Sequence, residues 1–201
     1  MDKIVVTIAR EFGSGGKTIG KMLAKELGIK YYDRSIIKIV SDKTGISEKL
    51  FNQLDENVKK PGIFRKEYSD EISPPESSEF LSNENLFKMQ SQIVKEIAEN
   101  ESCVIVGRCA DFVLKDMKDV VKVFIYANDD FCLEQTKLAF GIGDKEAKNS
   151  IATINKTREN FYKRYTGNDW RCAKNYDLCL NSSDLGFNKC VEIIKKYIEI
   201  R

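Results

Sequence analysis

A chain of 201 residues suits one compact domain, or one domain with insertions, and 42% apolar residues supply a sizeable core under a surface made polar by 32% charged residues. Lys and Arg (33) nearly balance Asp and Glu (31), so the net charge of +2 offers no footprint for nucleic acid. The absence of histidine excludes Ser-His and Cys-His catalysis and histidine-bearing zinc sites. Phosphoryl transfer passes this filter, because positioning and charge stabilisation carry most of its catalysis.

Residues 4–9 (IVVTIA) form an apolar run that predicts a parallel strand buried on both faces. It breaks into the glycine-dense turn REFGSGGKT. There Gly13, Gly15 and Gly16 free the backbone to take positive φ and to approach a ligand closely. Backbone N–H groups in such a loop, opening onto a helix N-terminus, bind anions. Lys17 would reach the β/γ-phosphates of a nucleotide and the Thr18 hydroxyl would coordinate Mg²⁺. Gly16-Lys17-Thr18 fits the end of the pattern G-x-x-x-x-G-K-[ST], but Glu11 stands where the first glycine is expected. Ile19, Met22, Leu23 and Leu27 share one face of a helix over 17–27, with Gly28 as its C-terminal cap.

A short second strand at Lys30–Asp33 leads to Asp33-Arg34. An arginine there could hold a phosphate or carboxylate bidentately. A plain turn, with Asp33 as helix N-cap, explains the pair equally well. Further helices are predicted at about 34–43, 84–100, 129–139, 145–165 and 186–199. Residues 55–83 hold all three prolines and several acids, and read as an irregular insertion.

The third strand, Cys103–Val106, ends in Gly107-Arg108, which puts a guanidinium at the mouth of the sheet. Asp111 lies three residues on, where it could orient that arginine or stand near a metal. The fourth and fifth strands fall at Val121–Tyr126 and Asp177–Leu180. Between them, residues 141–171 are rich in cations, with Lys156, Arg158, Lys163 and Arg164 at roughly helical spacing. Such a segment could close over phosphates as a lid, with Lys156 and Arg158 flanking its hinge, or be a solvated helix face.

Strands alternating with helices indicate an α/β domain with a mainly parallel sheet, whose ligands bind at the carboxyl ends of the strands. The six cysteines include no C-x-x-C pair, and Cys103, Cys179 and Cys190 read as buried thiols without a disulfide framework. No stretch has the apolar length of a membrane span, and no signal peptide precedes the first strand, so a cytoplasmic location is expected.

Taken together, TIAREFGSGGKTIG, YYDRSII, VIVGRCADFVL, VFIYA, RENFYKRYTGNDW and NYDLCLNSSDLG resemble the nucleoside monophosphate kinases, most closely the cytidylate kinase-like family. The resemblance runs along nearly the whole chain. It implies a single three-layer P-loop kinase domain over 1–201, with five parallel strands, a monophosphate-binding insertion (about 55–83) and a helical lid (about 141–160). It also implies ATP with Mg²⁺ as donor and CMP or dCMP as acceptor. Carried over by motif, Gly13, Ser14, Gly15, Gly16, Lys17 and Thr18 would cradle the donor phosphates. Arg34 and Arg108 would hold the acceptor phosphate, with Asp33 and Asp111 near acceptor or metal. Lys156 and Arg158 would act on the transferring group. Residues 55–83 do not match the family's base-reading residues. Two other readings therefore stay open: a kinase of another small acceptor, and a nucleotide-binding regulatory module without turnover.

Overall fold

Five strands, β1 (Val5–Arg10), β2 (Lys30–Tyr32), β3 (Cys103–Val106), β4 (Val120–Tyr126) and β5 (Leu178–Asn181), form one parallel sheet in the order β2-β3-β1-β4-β5. Val5 stands beside Cys103 and Val120, and Ile8 beside Val106 and Val123, so β1 lies at the centre. The computed structural model describes residues 3–56 and 71–201. Part of the insertion expected at 55–83, residues 57–70, lies outside the described residues.

Strand residues alternate between two cores. Val5 and Ala9 face one, with Ile105 and Phe124, while Val6 and Ile8 face the other, with Val104, Val123 and Ile125. The second core is closed by α1 (Gly16–Leu27), through Ile19 and Leu23, and by α8 (Ser182–Ile200), through Cys190, Val191 and Ile194. The first is closed by α2 (Ser35–Thr44), α3 (Glu48–Glu56), α4 (Asn83–Asn100), the one-turn α5 (Ala110–Val113) and the end of α7 (Asp144–Thr166). With both faces covered, the strands can be apolar throughout, which is why β1 and β3 lack alternation. Helix α6 (Asp129–Phe140) joins α7 through Gly141, at φ 65°, and Gly143. No helix among the described residues is long and apolar enough to cross a membrane.

Three features differ from the expectations. Helix α7 runs unbroken through Lys156 and Arg158, so neither flanks a hinge; its breaks lie at its ends, at Gly141 and Gly143 before it and at Gly167 after it. Its last turns are anchored, with Phe161, Tyr162 and Tyr165 buried and Tyr165 stacked on Phe87 of α4 at 4.1 Å. Each aromatic buried in this way contributes roughly 1.5–3 kcal/mol relative to exposure, enough to fix this end of the helix. Cys179 is exposed, while Cys103 and Cys190 are buried. The cause is its place on β5, at the rim of the sheet.

Asn85 explains how residues 71–82 fold back without regular structure. Its fully buried side-chain oxygen accepts the Ser73 amide (2.6 Å), and its Nδ2 donates to the carbonyls of Phe80 (2.9 Å) and Ser73 (3.3 Å). A buried amide so satisfied stabilises a turn that apolar packing alone would not specify.

Candidate active site

The glycine loop follows the central strand. Gly13 (φ 85°) and Gly15 (φ 75°) take left-handed conformations, and Gly15 caps α1. Gly16 is the first helical residue, so its smallness has another cause, the close approach of Arg10. A Cβ added at Gly16 would stand 2.5 Å from Arg10 Cβ. Ser14 is fully buried, and its hydroxyl lies 2.9 Å from the carbonyl of Glu11 and 3.1 Å from that of Ile125. Its side chain therefore braces the loop, and only its backbone is left to serve a ligand. Buried Ser182, at the start of α8, donates to the Ser14 carbonyl at 2.7 Å. The amides of Gly16, Lys17 and Thr18 open α1, where helical geometry leaves N–H groups without intrahelical partners. Thr18 is exposed on that first turn.

Lys17 points to the end of β2, where its Nζ lies 2.8 Å from Asp33 Oδ2. Asp33 also accepts the Ser35 amide (3.2 Å) and the Tyr31 hydroxyl (3.3 Å). Partial burial works against ionisation of Asp33, but the Lys17 ammonium and these donors outweigh it and hold its pKa below the usual value. Arg34 stands beside it, exposed, at the N-cap position of α2.

At the end of β3, Gly107 (φ 83°), Arg108 (φ 62°) and Cys109 (φ 51°) are all left-handed. Two such residues bear side chains, a strained arrangement that costs of order 1–3 kcal/mol per residue and concentrates at ligand sites. Arg108 Nη1 donates to Gln90 Oε1 of α4 at 3.3 Å. Gln90 is fully buried, and among the described residues its Nε2 has no hydrogen-bond partner. The same turn carries Asp111 inward. Its carboxylate is 6% exposed and accepts the Tyr162 hydroxyl at 2.6 Å. Burial raises its pKa to about 6, against the opposing pull of Tyr162, its own amide, Lys122 and the Phe112 amide. Asp111 thus clasps α5 to α7 inside the core rather than lining the open mouth of the sheet.

Helix α7 lies against the glycine loop. Arg158 Nη1 donates to the Arg10 carbonyl (2.9 Å), the guanidinium sits 5.6 Å from the Phe12 ring centre, and Asn155 Oδ1 accepts the Phe12 amide (2.7 Å). Lys156 points elsewhere, exposed and paired with Glu159 at 3.1 Å. Glu11, the residue in place of the expected glycine, accepts from Arg171 Nε at 2.9 Å and links the loop to the segment before β5.

The structure therefore gathers the glycine loop, Lys17, Asp33, Arg34 and Arg108 at the carboxyl ends of β1, β2 and β3, and brings Arg158 to the loop. It sets Asp111 below this surface and Lys156 outside it. Sequence reasoning missed Arg10, Gln90 and the Glu11–Arg171 pair. Arg10 had a readable signal, a charged residue where an apolar strand meets a glycine loop. For Gln90, one polar residue on a long helix gave none.

A parallel sheet of this order, with a glycine loop between its central strand and first helix, is the P-loop kinase fold. Shikimate kinases share it: that of Bacteroides thetaiotaomicron superposes with a TM-score of 0.56 at 15% identity over 98% of both chains. The shikimate-bound enzyme of Acinetobacter baumannii gives 0.52 at 14%, over 98% of this chain and 93% of the other. A structure of an uncharacterised protein from Eubacterium ventriosum is more similar, at TM-score 0.73 and 25% identity over 99% of this chain and all of the other. The model of the cytidylate kinase-like family matches residues 5–184, and the chain belongs to that family. A cytidylate kinase of Archaeoglobus fulgidus is 26% identical over 98% of this chain and 95% of its own length.

Proposed function

We propose that the protein transfers the γ-phosphoryl group of ATP to a nucleoside monophosphate, with CMP or dCMP as acceptor. The observation that carries this reading is the array of cations at the carboxyl edge of the parallel sheet: Lys17 on the first turn of α1, Arg34 and Arg108 just beyond β2 and β3, and Arg158 against the glycine loop. An acceptor phosphate oxygen attacks the γ-phosphorus in line, one P–O bond forms, the β–γ bridging P–O bond breaks, and ADP leaves with that electron pair. The acceptor oxygen is already anionic, so no strong base is required, in keeping with a chain that has no histidine.

In this reading the loop amides from Gly13 to Thr18 cradle the donor phosphates, Lys17 reaches them on leaving Asp33, and Arg34 and Arg108 hold the acceptor phosphate. Arg158 contributes charge from α7. The described residues contain no cluster of three carboxylate or thiol ligands for a metal. Mg²⁺ binds mainly through substrate phosphates and water with one or two protein oxygens. Thr18, exposed on the first turn of α1, is the residue that would hold it. When bound, Mg²⁺ supplies neutralisation of the triphosphate charge.

The family and the Archaeoglobus relative support cytidylate as acceptor. A coupled assay of ADP release over CMP, dCMP, UMP, AMP and GMP tests it. Turnover highest with CMP or dCMP is expected. Activity confined to another monophosphate would move the assignment, and ATP binding without transfer to any of them would sink it.

A further inference from the structure

In the phosphate-loop pattern the lysine directly follows the last loop glycine. Here the glycine that closes the loop, left-handed and capping α1, is Gly15 rather than Gly16. Counted from Gly15, the place of the lysine falls on Gly16, and the place of the first glycine, five residues earlier, falls on Arg10. The cation and the glycine have exchanged positions.

The packing explains the exchange. A side chain at Gly16 would begin 2.5 Å from Arg10 Cβ and 3.0 Å from its Cγ, so the Arg10 stem occupies the room a lysine would need. The guanidinium then crosses from β1 to the end of β3. Its Nη1, Cζ and Nη2 lie 2.5, 3.2 and 3.4 Å from where a Cβ of Gly107 would stand. Only glycine, at φ 83°, admits that approach, and Arg108 follows at once. Arg158 is bonded to the Arg10 carbonyl at 2.9 Å. Lys17 meanwhile is one place too far along α1 to follow the capping glycine, and turns to Asp33. The guanidinium of Arg10 therefore stands between the glycine loop and Arg108, the two groups assigned above to donor and acceptor.

We infer that Arg10, in place of Lys17, takes the part of the loop lysine, its guanidinium binding the phosphoryl oxygens of the donor triphosphate where they meet the acceptor, while Lys17 stays with Asp33. The inference rests on the phosphoryl-transfer reading for the ligand's class, and on the geometry of Arg10, Gly16 and Gly107 for the residue. A planar guanidinium can span two phosphate oxygens, which an ammonium cannot do with fixed geometry.

The test is calorimetric titration of the full-length protein with MgATP, beside steady-state turnover, for wild type and four variants. Arg10→Gln keeps the stem over Gly16 and removes the charge, whereas Arg10→Lys keeps both stem and charge. Arg10→Gly opens the space, and Arg10→Gly with Gly16→Lys restores the usual order. Thermal melts show which variants are folded. Arg10→Gln is expected to weaken MgATP by at least about tenfold, the range of one charge-assisted hydrogen bond, with kcat falling further than affinity. Arg10→Lys should recover part of the affinity, and the exchanged pair should bind at least about tenfold tighter than Arg10→Gly alone. A folded Arg10→Gln that binds and turns over like wild type overturns the inference while leaving the kinase reading intact. An exchanged pair no better than Arg10→Gly counts against the exchange. Wild type that binds MgATP without turnover, but loses it on Arg10→Gln, upholds Arg10 and removes the kinase reading. Wild type that binds no MgATP overturns both.

Discussion

Replacing Asp111 by asparagine separates the cost of a buried charge from the value of the contact it makes. Asp111 is 6% exposed, and its carboxyl is raised from the ordinary 3.8 to about 6, by burial above all. Below about pH 3 the group is protonated in folded and unfolded chains alike, and its titration takes nothing from stability. Between pH 4 and 6 the unfolded chain ionises first, so stability falls as pH rises; above about pH 7 the loss is complete. At 1.36 kcal/mol per pH unit that loss is about 3 kcal/mol. Asparagine can still accept the Tyr162 hydroxyl but cannot ionise, so the variant should lack this slope. Urea unfolding of both proteins from pH 4 to pH 8 reads it as a difference, cancelling the other titrating groups. Wild type should lose about 2.4 kcal/mol against the variant between pH 4 and 7, or roughly 5–10 °C in Tm for a domain of this size. A difference that stays flat over that range would refute the idea that Asp111 carries its charge into the core.

Other consequences follow from the same geometry. Gly107→Ala forces a Cβ to 2.5 Å from Arg10 Nη1 at a φ of 83°, and should lower stability by about 1–3 kcal/mol together with MgATP affinity; an unchanged Tm would show that the turn has room. Lys17→Ala removes the ammonium that most lowers the Asp33 pKa, so the Asp33 carboxyl should titrate at higher pH by NMR. Stability that this pair contributes above the ordinary carboxylate pKa, and that wild type loses as pH falls, should shrink in the variant. Full turnover in Lys17→Ala would remove it from the proposed site. With a thiol reagent on the native protein, Cys179 should react first and Cys172 more slowly. The buried Cys103, Cys109, Cys132 and Cys190 should react only on unfolding, and fast labelling of any of these four would contradict the packing.

The strands were legible to within a residue or two because buried parallel strands leave unbroken apolar runs, as CVIV does in β3. Helix α3 was not, since its nine residues EKLFNQLDE offer too few apolar positions for a period, although Phe51 is wholly buried. Helix α8 starts at Ser182 rather than 186 because Gly186, at φ 72° and ψ 165°, separates two helical pieces, and the sequence shows one period only beyond the break. At the site, the order of residues tells which side chain follows a strand but not how the chain turns next. Three left-handed residues in succession, Gly107 to Cys109, rotate Asp111 into the core. Lys156 and Arg158 are two residues apart on a helix, about 200° around it. One could therefore reach the loop only if the other did not, and nothing in their spacing chose between them.

The place of β1 at the centre of the sheet bears on how the chain must be made. Its partners begin at Cys103 and Val120, about a hundred residues after Val5. At a synthesis rate of about 5–20 residues per second, this strand waits roughly 5–20 s for its first neighbour. Helix α1 can cover one face of it early, through Ile19 and Leu23, but both hydrogen-bonding edges stay open. Those edges stay exposed for that interval, and β3, once made, closes β1 and β2 together, so that one short apolar strand turns two open strands into the middle of a sheet.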